Sequence, residues 1–109
     1  MKMKEREIIT EFKKRLPPDV LNHVRKVILF GSRARGDGED ESDLDLAVLV
    51  DERTKEIEKK LEDIAYGVMW DYDFKPIISL KVFAENQFRG AVAKGYSFYK
   101  HVEKEGISI

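Results

Sequence analysis

Residues 31–50 read GSRARGDGEDESDLDLAVLV, and the residues able to do chemistry concentrate there. Gly31-Ser32 follows the apolar run Val27-Ile28-Leu29-Phe30. Ten residues separate Ser32 from Asp43, Asp45 stands just beyond, and Leu46-Ala47-Val48-Leu49-Val50 completes the stretch. This pattern predicts a buried strand, a glycine turn, a polar loop and a second strand that opens with two acids. Alternate residues of a strand share a face, so Asp43 and Asp45 point one way while Leu44, Leu46, Val48 and Val50 point into a core. Two carboxylates held side by side repel each other and cost stability unless a cation or hydrogen-bond donors lie between them. Hard oxygen donors of this kind suit Mg²⁺, typically held by one or two carboxylates together with substrate phosphates. Gly31 admits a phosphate close to the backbone, and Ser32, at the start of a short helix, adds a hydroxyl to the amides there. Gly-Ser alone reads as an ordinary turn; paired with Asp43 and Asp45 it reads as a phosphate site. Arg33 and Arg35 have two uses open to them, contact with phosphates or neutralisation of the acidic loop.

Gly31-Ser32, ten residues, then Asp43-x-Asp45 resembles the G-S-x10-D-x-D signature of the DNA polymerase beta-like nucleotidyltransferase superfamily. With 109 residues around the motif, the chain looks like a minimal nucleotidyltransferase, a group whose members often act as antitoxins to HEPN-domain toxins. The ending, from Gly95-Tyr96-Ser97-Phe98-Tyr99 to Glu105-Gly106-Ile107, is also similar to the tail of these small proteins. The resemblance implies an α/β (α+β) fold, a small mixed β-sheet with helices packed on it, as one nucleotidyltransferase domain over residues 1–109. It implies Asp43 and Asp45 as catalytic residues and as ligands of a pair of Mg²⁺ ions. It implies Gly31 and Ser32 as nucleotide-binding residues and ATP as the substrate; Arg33 and Arg35 are added as nucleotide-binding candidates from their place beside the turn. The expected reaction is attack of a hydroxyl on the alpha phosphate of a nucleoside triphosphate, with release of pyrophosphate.

Composition narrows the field. A chain of 109 residues can bury one modest core. There is no cysteine, which excludes disulfides, zinc-thiolate sites and thiol catalysis and fits a cytoplasmic protein. No leader pattern and no membrane-length apolar run is visible. Twenty Lys and Arg against 21 Asp and Glu give a net charge of −1, so an overall basic footprint for direct nucleic-acid binding is missing.

The remaining elements must position the motif. Residues 1–16 predict a helix with Ile8, Ile9, Phe12 and Leu16 on one stripe, stopped by Pro17-Pro18. Asp19 is expected to cap a short turn, and His23 reads as a polar surface residue. Residues 24–30 are the first strand. Residues 36–41 form an acidic loop; an EF-hand is disfavoured because strands flank it. Ser42 is expected to pin the start of the second strand. A helix over residues 55–69 buries Ile57, Leu61, Ile64, Ala65 and Val68, and residues 70–73 read as a turn. Residues 74–83 predict a long strand at a sheet edge or bulge, because Pro76 cannot donate to a ladder. Helices follow, divided at Gly90 or Gly95, and residues 107–109 add a short last strand. Tyr96, Phe98 and Tyr99 read as core rather than partner surface.

Active members of the superfamily usually carry a third acid on the strand after the helix. Residues 74–83 contain neither Asp nor Glu. Asp73, just before them, shares its parity with Ser79 and Lys81 and is the candidate third catalytic acid; Asp71 is a second. Three functions follow, in order. The first is transfer of AMP from ATP to a tyrosine of a HEPN toxin, making the chain an antitoxin. The second is a weakly catalytic metal- and nucleotide-binding module that neutralises a toxin by contact. The third is nucleotidyl transfer to a small hydroxylated substrate, although drug-modifying relatives usually have a further substrate domain. An edge strand and a C-terminal aromatic cluster leave pairing with itself or with a partner open.

Overall fold

The computed structural model describes residues 1–39 and 41–109, so the acidic loop expected over 36–41 includes one residue, Asp40, outside the described residues. Among the described residues the order is α1 (Met3–Lys14), α2 (Pro18–Leu21), β1 (Val24–Phe30), α3 (Ser32–Arg35), β2 (Leu44–Val50), α4 (Lys55–Asp71), β3 (Ile78–Ala84), α5 (Glu85–Ala93), α6 (Ser97–Glu105) and β4 (Ile107–Ser108). The strands form one sheet in the order β3-β2-β1-β4. β1 is antiparallel to β2 and to β4, whereas β3, reached through α4, runs parallel to β2. The mixed sheet expected from the sequence is therefore present, with β3 at its edge.

Strand alternation builds two cores. Val27 and Leu29 of β1, Leu44, Leu46, Val48 and Val50 of β2, and Ile78 and Val82 of β3 face α1, α2 and α4, where Ile8, Ile9, Phe12, Val20, Leu61, Ala65 and Val68 are buried. The opposite face carries Ile28, Phe30, Ala47 and Leu49 beneath Phe88 of α5 and Val102 of α6. This second layer explains why β2 is apolar at every residue after Asp45, since a central strand covered on both faces has no solvent side. Asp43 and Asp45 share the parity of Ala47 and Leu49, so the acids stand at the end of the face that α5 and α6 cover.

Local chemistry accounts for most boundaries. The Thr54 side chain accepts from the Ile57 N–H at 3.1 Å and starts α4. Gly95, at φ +83°, separates α5 from α6. Asp19 does not cap α2: Pro17 stands at the cap and Pro18 takes the first helical position, where its missing N–H costs nothing. Asp19 instead meets Lys60 of α4 at 2.9 Å. His23 is a surface residue as expected, its Nδ1 3.0 Å from the Asp51 carboxylate.

The region after α4 differs from expectation. α4 runs on through Asp71 rather than turning at residue 70, and β3 begins at Ile78 rather than Phe74. Asp73 and Phe74 adopt φ of +56° and +57°, outside extended geometry, so the strand cannot reach back to them. The parity that linked Asp73 to Ser79 therefore does not hold. Among the described residues no helix is long and apolar enough to cross a membrane.

Candidate active site

β1 and β2 deliver the site at their shared end. Phe30 pairs across the ladder with Asp45, and Gly31 follows immediately. Gly31 has φ +79° and ψ −161°, a region essentially reserved for glycine. A Cβ placed on it would lie 2.3 Å from Oδ2 of Asp45. The sequence reading gave this glycine to phosphate approach; the structure shows that it also makes room for the second carboxylate. Backbone N–H groups of Asp37 and Gly38 donate to the Ser32 carbonyl at 3.2 and 3.1 Å, folding the loop back over α3.

Asp45 faces Ser79 in the parallel register of β3, with Lys81 one ladder step deeper on the same face. Burial pushes the Asp45 carboxyl above its ordinary value and the charge of Asp43 pushes it further, while Lys81, the Ser79 hydroxyl and Arg35 oppose the rise without cancelling it. Asp43, just outside β2, is exposed. Neither carboxylate has an ion-pair partner within 4.0 Å among the described residues. The pair is thus a concentrated, incompletely neutralised negative site with hard oxygen donors, which fits Mg²⁺ bound jointly with substrate phosphates. Asp43 and Asp45 would hold such an ion.

The strain of this arrangement is measurable. An acid whose folded-state value is raised stabilises the fold only at low pH, and that stability is lost as pH rises through the folded value. Without metal at neutral pH, Asp45→Asn should therefore raise the unfolding free energy by roughly 0.5–1 kcal/mol after solvent screening, about 2–4 °C in Tm. The gain should shrink as pH falls through the Asp45 transition. A Tm at or below the wild-type value in thermal scans would mean that Ser79 and Lys81 already compensate the charge.

The other expected site residues fall apart into two groups. Arg33 is 7% exposed and Glu5, on α1, is 3% exposed. Arg33 Nη1 donates to Glu5 Oε2 at 3.0 Å and its Nε donates to the Ser42 carbonyl at 3.0 Å. Its guanidinium is thus built into the base of the loop. Arg35 is exposed, 3.3 Å from Asp37 and 3.8 Å from Glu105, and its charge reaches Asp45. Ser42 Oγ accepts from the Glu39 N–H at 3.0 Å, so it pins the loop ahead of β2 as expected. Asp73 is exposed at the end of α4, and Asp71 meets Arg15 there. Among the described residues no third Asp, Glu, His or Cys joins Asp43 and Asp45 in a metal-binding cluster. Ser79 and Lys81 are the site residues that sequence reasoning missed; their shared parity is legible in the sequence, but only the parallel register of β3 sets them beside Asp45.

A mixed sheet that ends in a Gly-Ser turn beside two carboxylates, one at the start of a central strand and one just ahead of it, defines a nucleotidyltransferase fold. Residues 5–100 match the nucleotidyltransferase domain family, and the chain belongs to that family. Two relatives from Methanocaldococcus jannaschii are named as candidate protein adenylyltransferases. One is 37% identical over 106 residues, covering 94% of this chain and 96% of its own length. The other is 33% identical over 107 residues, covering 95% and 96%. Among solved structures, a toxin–antitoxin complex with AMP-PNP superimposes with a TM-score of 0.55 at 19% identity, covering 97% of this chain and 72% of that one. A mutant of the MntA–HpeT toxin–antitoxin pair gives 0.53 at 19% identity, covering 99% and 72%. These two likenesses bear on the fold.

Proposed function

We propose that this chain transfers AMP from ATP to a tyrosine hydroxyl of a HEPN-domain toxin and so acts as its antitoxin. The observation that carries the reading is the Asp43–Asp45 pair, with the Asp45 carboxylate closed against Gly31. Relatives named for protein adenylylation and fold neighbours drawn from toxin–antitoxin pairs support it.

Gly31 and Ser32 hold the phosphates, and Lys81 and Arg35 add positive charge on the Asp45 side. Mg²⁺, when bound by Asp43 and Asp45, supplies charge neutralisation at the alpha phosphate and the leaving oxygens. The acceptor oxygen bonds to the alpha phosphorus as the bond to pyrophosphate breaks. Asp43 is open to solvent, which can take the hydroxyl proton. Holding the reactants in line is the rest of the work that the rigid sheet end does.

The test uses ATP labelled at the alpha or the gamma phosphate, Mg²⁺ and a lysate of the native host. A protein band labelled from the alpha position only is the expected result. Asp43→Asn removes several kcal/mol of charge stabilisation and should lower labelling on the order of 100-fold or more. Undiminished labelling in a folded Asp43→Asn protein would end the proposal.

One observation favours a second reading. Ser79 and Lys81, not an acid, face Asp45, and no third acid joins the pair among the described residues. A chain that binds metal and nucleotide but neutralises its toxin by contact would keep neutralising as Asp43→Asn.

A further inference from the structure

A cavity of about 540 Å³ opens beside Asp43, lined in part by residues at the start of α1. Its lining includes Phe74, Pro76 and Ile77, the cations Lys2, Lys4 and Lys75, the acids Glu41 and Asp43, and the buried Glu5–Arg33 pair, and neither Gly31, Ser32 nor Asp45 contributes to it. The volume falls within the roughly 300–1,000 Å³ of sites that take a small ligand or an anchoring side chain. Asp43 thus borders this cavity, and the phosphate-binding turn lies outside its lining.

The cavity is not closed. Phe74, in its wall, stacks edge-on with Trp70 at 5.3 Å and with Tyr66 at 5.6 Å, both on the outer face of α4. Trp70 is 63% exposed, Ile77 50% and Tyr66 45%. An apolar ridge therefore leads from solvent into the space beside Asp43. Exposed aromatic surface of this kind, rimmed by charge, marks an interaction site. The rim at the cavity end carries Lys4 and Lys75, which make no ion pair among the described residues.

We propose that this ridge and cavity dock the acceptor, a segment of a partner protein that lays apolar or aromatic side chains over Tyr66, Trp70 and Ile77 and sets an acidic residue against Lys4 and Lys75. The segment thereby brings its hydroxyl to Asp43 through a cavity that the phosphate-binding turn does not line. This rests on the reading of Asp43 and Asp45 as a transfer site. A small hydroxylated acceptor would fill the cavity and leave the outer ridge unused, whereas a protein segment covers both.

Trp70 is the only tryptophan in the chain, so its emission reports the ridge directly. The full chain is titrated with two tyrosine-containing peptides of equal length, one with acidic and leucine flanks and one with lysine flanks. The acidic peptide should shift the emission to the blue and saturate with a Kd at least tenfold below that of the basic one. Lys4→Glu with Lys75→Glu, or Ile77→Asp alone, should weaken binding at least tenfold; all three side chains are exposed, and circular dichroism checks their folding. Asp45→Asn should keep the shift while losing labelling of the peptide from alpha-labelled ATP, so docking and chemistry fail separately. No shift, equal binding of both peptides, or indifference to the ridge variants would overturn the proposal. A full shift with Mg-ATP alone would give the ridge to the nucleobase, and a shift with protein concentration plus a sedimenting dimer would give it to a second copy; either overturns it.

Discussion

Replacing Arg33 by methionine should lower the free energy of unfolding by about 3–5 kcal/mol, out of a total on the order of 5–15 kcal/mol. The cause is the charge left behind. Glu5 and Arg33 are both buried, and the 3.0 Å bond between them compensates two desolvated charges. Without Arg33 the Glu5 carboxylate keeps, among the described residues, the Lys2 N–H at 2.8 Å. The Ser42 carbonyl loses its 3.0 Å donor too, which frees the segment leading into Asp43. Urea unfolding would measure the loss. Removing both charges, as Glu5→Leu with Arg33→Met, should recover most of it, because a buried pair contributes little beyond cancelling its own desolvation. A single variant within about 1 kcal/mol of wild type would show that the pair is not buried as described.

The Gly31→Ala variant should suffer twice. Its φ of +79° and ψ of −161° cost an alanine on the order of 1–3 kcal/mol. Its new methyl would lie 2.3 Å from Asp45 Oδ2, so the carboxylate must move. A displacement near 1 Å at a reacting centre costs on the order of 100-fold in rate, so nucleotidyl transfer should drop by about that much. A double-mutant cycle separates the causes: with Asp45→Ala present the clash disappears, and the stability cost of Gly31→Ala should fall to the backbone share. Equal costs in both backgrounds would mean that Asp45 is not the obstacle.

The first of these predictions rests on a contact that no single stretch of sequence displays. Glu5 and Arg33 lie 28 residues apart, each in a run where a charge reads as solvent-facing. Nothing in helical periodicity marks Glu5 as buried; the packing of α1 over the loop decides that. The second core is a similar case. Leu49 and Phe88 lie on separate elements, and only the return of α5 and α6 across the sheet brings them into one buried cluster. Asp73 shows the reverse error. Its parity was inferred by extending a strand, and two residues at positive φ break the extension.

What the sequence by itself determined was local and periodic. β1 has the expected bounds, Val24–Phe30, because a β-rich apolar run between a turn and a glycine has few alternatives. Gly31, Ser32, Asp43 and Asp45 were legible because a glycine turn and an acid pair at fixed spacing are one continuous segment. The tertiary structure alone decided what faces that segment. The parallel register of β3 sets Ser79 and Lys81 against Asp45, the fold of α1 commits Arg33 to the interior, and the end of α4 carries its aromatic ridge to the cavity beside Asp43. The physical reason is common to all three. Side-chain periodicity is written in neighbouring residues, whereas register, desolvation and the pairing of buried charges depend on which distant surfaces meet.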